Sequence, residues 1–141
     1  MQVIVSIVEQ EWRGQRRMLK GKPKIQMPDD LDPEIGELIS LINNVEGIET
    51  LESCFGHNEG PIVIWGEADS IEDLHKFMYK YFYCDQLWHF ELVLSDIMID
   101  EQDWGKVVFL MKSDDRYTNF PTTQLMVDNL TKRFQMIQGV G

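Results

Sequence analysis

An α+β domain is the fold this sequence predicts, with a mixed or mainly antiparallel sheet and about three helices packed mainly on one of its faces. Three observations predict it. Strand-like and helix-like segments follow one another in the order β, basic loop, αββαββα, which interleaves hairpins with helices. Their apolar residues switch between the two periods that define those elements. The chain has 141 residues, 43% of them hydrophobic, which is the size and composition of one core, so residues 1–141 are expected to form one domain.

Residues Gln2 to Val8 alternate around Val3, Val5 and Ile7 and are rich in β-branched side chains, which predicts a short strand. The periodicity then disappears. Asp32-Pro33-Glu34 opens a helix, with Asp32 as the cap, Pro33 at the first helical position and Glu34 at the positive helix end. Its stripe is Ile35, Leu38, Ile39, Ile42 and Val45, and Gly47 ends it ahead of a strand over Ile48 to Cys54. The run Ile62 to Trp65, fed by Gly60-Pro61 and closed by Gly66, predicts a central strand.

Ser70-Ile71-Glu72-Asp73 resembles a capping box and introduces a second helix with Ile71, Leu74, Phe77, Met78, Tyr81 and Phe82 on its buried side. Trp88, Phe90, Leu92 and Leu94 alternate with His89, Glu91, Val93 and Ser95, giving the clearest strand. After an acidic turn at Asp100, Glu101, Asp103 and Gly105, Val107 to Met111 is apolar on both faces, as for an interior strand antiparallel to its predecessor. Pro121-Thr122 introduces the last helix, with Leu125, Met126, Leu130, Phe134 and Ile137 as its core stripe.

Charge narrows the function classes. With 13 Lys+Arg against 24 Asp+Glu the net charge is −11, which opposes broad capture of nucleic acid or of an anionic membrane. Six of the 13 basic residues (Arg13, Arg16, Arg17, Lys20, Lys22 and Lys24) crowd into a basic loop or arm over residues 12–27 with no acid between them. This segment either folds back on the acidic body or contacts phosphate through the guanidinium forks of Arg13, Arg16 and Arg17; nucleic acid is a partner only through it. No run approaches the length that spans a bilayer, so no membrane partner is expected. Two cysteines, Cys54 and Cys84, do not make a disulfide scaffold, and both are expected as reduced thiols in a cytoplasmic protein.

The segment from Gly47 to Pro61 joins a thiol, an imidazole, a hydroxyl and carboxylates to three glycines at the end of a predicted strand. Strand ends let polar side chains face a ligand while the sheet holds them, and Gly56 and Gly60 permit close approach of a ligand or a second backbone. The expectation is that Ser53, Cys54 and His57 converge on one cleft, with Gly56 leaving the backbone open. Against it stands the plainer possibility that Cys54 is a small buried hydrophobe and the glycines only shape a turn.

The pattern Leu38-Ile39, Asn43, Gly47-Ile48, Thr50 and Ser53-Cys54-Phe55-Gly56-His57 resembles the Ser-Cys-x-Gly signature of the wybutosine-synthesis methyltransferases. It is also similar to small phage and prophage proteins that carry Ser-Cys-x-Gly-His after a helix and a strand. The resemblance covers about residues 34–66. The first family implies S-adenosylmethionine as cofactor and methyl transfer to a modified guanosine of tRNA, with Ser53, Cys54 and Gly56 lining the site. Leu51 and Glu52 replace that family's small hydroxyl residues, and His57 replaces its arginine. The second group implies no activity.

Cys54 and His57 also stand at the C-x2-H spacing of two zinc ligands, with Cys84 and His89 or His75 as further donors, but structural zinc sites repeat a tight pair and this chain does not, so no metal is expected. Phosphate-loop, dinucleotide, zinc-helix, EF-hand and nucleophile-elbow motifs are absent. Asp114-Asp115 reads as a solvated turn, and the aromatic group Tyr79, Tyr81, Phe82, Tyr83, Trp88 and Phe90 as core. The leading expectation is a protein that binds a small molecule or a protein partner at Ser53, Cys54, Gly56 and His57. The alternative is the methyltransferase-like enzyme acting on RNA. A third reading, an oligomeric interaction module, rests on the aromatic content.

Overall fold

The computed structural model describes residues 3–7, 32–56, 60–94, 106–119 and 121–140. The basic segment 12–27 with Arg13, Arg16 and Arg17, the imidazole of His57 and the acidic turn 100–105 lie outside them. Among the described residues five strands form one sheet: β1 (Val3–Ile7), β2 (Ile48–Cys54), β3 (Val63–Ala68), β4 (Trp88–Leu94) and β5 (Val107–Ser113), in the order β1-β4-β5-β3-β2. β1 pairs parallel with β4, and every other pairing is antiparallel. The helices are α1 (Gly36–Asn43, entered by a 3-10 turn over Pro33–Ile35), α2 (Ile71–Phe82) and α3 (Thr122–Gln138). The architecture is the α+β one, mainly antiparallel.

A continuous core joins one sheet face to all three helices, with Ile64, Phe90, Phe109 and Met111 from the strands meeting Leu38, Ile42, Phe77, Phe82, Leu130 and Phe134. Its centre is aromatic: Phe77 makes ring contacts with Tyr81, Phe82, Phe90, Phe109 and Phe134 at centroid distances of 5.5 to 6.2 Å. The opposite face holds a smaller cluster of Leu51 and Val108 with Trp65 packed on it.

Local chemistry explains the element boundaries, including those the sequence misplaces. Ser70 Oγ accepts from Asp73 N at 3.1 Å and donates to the Asp73 carboxylate at 3.0 Å, so the capping box starts α2 as expected. Asp32, the expected cap of the first helix, makes no cap hydrogen bond; its carboxylate accepts from Phe55 N at 2.9 Å, tying the helix entrance to the end of β2. Gly66 does not close β3. The strand runs through it to Ala68, and a Cβ there would lie 2.4 Å from Cζ of Phe109, its cross-strand partner, so the glycine is a slot for a buried ring. Ile71 and Leu125, expected in core stripes, are 53% and 59% exposed. The buried line of α3 runs instead through Thr123, Met126, Val127, Leu130, Thr131 and Phe134.

Between Thr50 and Glu52 the register of β2 slips by one residue. Thr50 is fully buried toward the helices, where Asn43 grips it: Thr50 N donates to Asn43 Oδ1 and Asn43 Nδ2 donates to Thr50 Oγ1, both at 2.9 Å. The extra residue at the bulge reverses the alternation beyond it.

Candidate functional site

That reversal decides where the turn residues point. Ser53 pairs with Ile64, whose neighbours across the sheet are Met111 and then Phe90, so Ser53 belongs to a row facing the helices. Its hydroxyl is buried and has no hydrogen-bond partner among the described residues. Cys54 pairs with Val63, whose neighbours are Lys112 and then His89, so the thiol stands in a row on the opposite face. The alcohol and the thiol are thus on different sides of the sheet. Gly56 adopts φ +90° and leaves no opening for a ligand: a Cβ on it would lie 2.2 Å from the Gly60 carbonyl oxygen. Gly60 N donates to Gly56 O at 3.2 Å and Gly56 N donates to Cys54 Sγ at 3.4 Å, so the chain's own backbone closes the neck of the turn.

The row that contains Cys54 leads to a polar cluster the sequence reading did not assemble. β5 is locked at its end by Ser113, which donates its N–H to Ile62 O at 3.0 Å and accepts from Ile62 N through Oγ at 2.8 Å. The next residue, Asp114, donates its N–H to Leu87 O at 2.8 Å, so its side chain is held beside the start of β4. The other end of that junction is fixed by Asp85, which accepts from Leu87 N and Trp88 N and pairs with Arg133 of α3 at 2.6 Å.

In this frame the Asp114 carboxylate gathers four contacts. Arg116 Nε lies 2.8 Å from Oδ1, Arg116 Nη2 3.1 Å from Oδ2, Arg116 N 2.9 Å from Oδ1, and His89 Nε2 3.0 Å from Oδ2. The Arg116 guanidinium first, then its backbone N–H and His89, hold the carboxyl well below the usual carboxylate range, against the opposing effect of burial. Reciprocally, the carboxylate raises the pKa of Arg116. Because the carboxylate stays ionised and only accepts, His89 presents Nε2–H to it, which fixes the ring's tautomer and orientation. Far from being a solvated turn residue, Asp114 exposes only 13% of its side chain.

His89, Phe90, Glu91, Leu110, Lys112, Asp114 and Asp115 line a cleft of about 190 Å³ on the sheet face away from the helices. Lys112 pairs with Asp115 at 3.1 Å and Arg116 with Asp114, so the cations there are matched by anions and the cleft is suited to polar hydrogen bonding more than to net charge. A second, wider groove of about 740 Å³ lies between α2 and the ends of α1 and α3, beside Lys76, Lys80 and Tyr81. Two of the polar groups along it are already engaged: Gln138 donates to Leu41 O at 2.8 Å, and Asp73 is committed to Ser70.

Among the described residues no three His, Cys, Asp or Glu side chains are gathered as a metal would require, and no helix is long and apolar enough to cross a membrane. Cys54 and Cys84 are both free thiols. In comparison with known proteins, no family model, curated protein or solved structure matches this chain. The His89–Asp114 pair spans 25 residues and was signalled in the sequence only by a histidine on the mixed face of β4 and an acidic pair directly after β5.

Proposed function

We propose that this chain is a cytoplasmic binding protein that takes a small polar molecule in the cleft between β4 and β5. The observation that carries the reading is the His89 ring, fixed by a carboxylate 3.0 Å away and set in the wall of a cleft of about 190 Å³. Preformed sites place a few oriented polar groups against an apolar wall, and here Lys112, Glu91 and His89 stand beside Leu110. The cleft is smaller than the roughly 300–1,000 Å³ typical of larger ligands, which favours a compact occupant. Cys54 shares the cross-strand row of His89 and Lys112, about 14 Å from His89 at three strand spacings, so the thiol is the far end of the same surface. Two free thiols fit a reducing compartment.

The methyltransferase reading draws less support. It needs Ser53, Cys54 and Gly56 to line one pocket, whereas Ser53 and Cys54 face opposite ways and Gly60 occupies the space beside Gly56. Fragment screening by heteronuclear NMR tests the proposal. Shifts are expected at His89, Lys112 and Leu110, and they should vanish in His89→Ala. Perturbations confined to residues 53–60, or heat released on titrating S-adenosylmethionine, would overturn it in favour of the turn.

A further inference from the structure

The solvent side of α2 carries large rings where a surface helix ordinarily carries charge. Ile71, His75, Tyr79 and Tyr83 follow one another at four-residue steps and form a single ridge. Ile71 is 53%, Tyr79 64% and Tyr83 70% exposed. The rings touch along the ridge: His75 and Tyr79 stack with centroids 6.4 Å apart, and Tyr79 meets Tyr83 at 5.1 Å. The aromatic content that the sequence assigns to the core is thus divided, with Tyr81 and Phe82 inside and Tyr79 and Tyr83 outside. Exposed tyrosines in contact with one another are the composition of a protein interface, since they bring area at little cost in side-chain entropy.

Beside the ridge runs a line of charge, Glu72, Lys76 and Lys80, acidic at its start and basic at its end. We propose that this face is the interface between two copies of the chain, with their α2 helices packed antiparallel about a two-fold axis. The charge order selects that occupant. An antiparallel copy brings Glu72 of each chain to Lys80 of the other, twice per dimer, while a parallel copy sets like charges together.

The apolar ridge obeys the same axis. The midpoint of Ile71 and Tyr83 is residue 77, as is that of His75 and Tyr79, and the midpoint of Glu72 and Lys80 is residue 76, so one rotation serves all three pairs within one residue. Among the described residues Lys80 makes a cation–π contact with the Tyr81 ring at 5.7 Å and no ion pair, and Glu72, paired at 3.2 Å with Lys76 of its own helix, keeps 74% of its side chain exposed for a second cation from the partner copy. A nucleic acid is the poorer occupant, because Glu72 and Asp73 flank the start of the ridge and the chain carries a net charge of −11. The face lies across the sheet from the His89 cleft, so this inference and the ligand reading stand or fall separately.

A 12-residue helix offers a contact only about 18 Å long, so a weak, concentration-dependent dimer is expected. Sedimentation velocity over a wide concentration series of the full chain measures it. Tyr79→Asp should abolish the dimer. Glu72→Lys and Lys80→Glu should each raise the dissociation constant by about tenfold, as two surface ion pairs are lost per dimer, and the double variant should recover most of the wild-type value. Circular dichroism confirms that each exposed substitution leaves the fold intact. A chain monomeric at every concentration overturns the proposal and leaves the ridge to a different protein. A dimer indifferent to Tyr79→Asp, or charge reversals that simply add in the double variant, overturns it equally.

Discussion

Phe109 lies against Gly66 across the β3–β5 pairing, with its ring in the volume a side chain on residue 66 would need. The ring is fully buried and contacts Phe77 and Phe90, so it has nowhere to withdraw. Gly66→Ala should therefore destabilise the fold by at least about 2 kcal/mol in urea unfolding. Adding Phe109→Leu should restore part of the loss, because the smaller side chain vacates the clash. Equal or greater instability of the pair would show that the glycine serves something other than the ring.

Gly56 and Cys54 separate the turn's architecture from its chemistry. Gly56→Val should impair folding far more than Cys54→Ser, by about 2 kcal/mol or more, because φ is +90° and the backbone of Gly60 blocks the added carbons. A serine hydroxyl can still accept the N–H that Gly56 offers to the thiol. Thermal melts of the two variants decide it, and comparable tolerance would contradict the closed neck.

Cys84 follows α2 with φ +60° and is exposed. A side chain in that conformation is strained, so Cys84→Gly should stabilise the chain by up to about 1 kcal/mol, seen as a rise in melting temperature. A fall would mean that the thiol makes a compensating contact.

Asp114 gives the protein an acid-sensitive component. Its folded-state pKa is depressed, chiefly by Arg116, so the stabilisation is fully present above the unfolded value of about 4 and is lost as pH falls below it toward the depressed value. The stability difference between wild type and Asp114→Asn should be constant near neutrality and shrink steadily below about pH 4. Urea titrations at several pH values measure it; a difference that grows on acidification would reverse the assignment. The His89 ring should also lose its fixed orientation in this variant, visible in its NMR tautomer signals.

How much of this was legible in the sequence depended on how locally each feature is determined. α2 and β4 were readable because a serine with an acid three positions on, and strict alternation from Trp88 to Leu92, act within a few residues. Gly66 was misread as a terminator because a glycine that admits a ring and a glycine that breaks a strand look alike without the partner strand. Ile71 and Leu125 are apolar yet outside, since helical spacing alone does not say which face meets the sheet. The separation of Ser53 from Cys54 depends on the bulge after Thr50, one residue that inverts everything downstream of it. The His89–Asp114 contact required the register of β4 against β5, which no short stretch of sequence encodes.

β1 differs from its neighbours in one respect: it joins the sheet in the parallel sense, with Val3 opposite Phe90. Among the described residues β4 is its only strand neighbour, and the 80 residues between Ile7 and Trp88 must be closed into a loop to make the pairing. Amides of this strand should accordingly be the first in the sheet to exchange with deuterated solvent. When it peels away, β4 becomes a bare margin of donors and acceptors, a seam that another polypeptide's extended segment can enter without disturbing the aromatic interior.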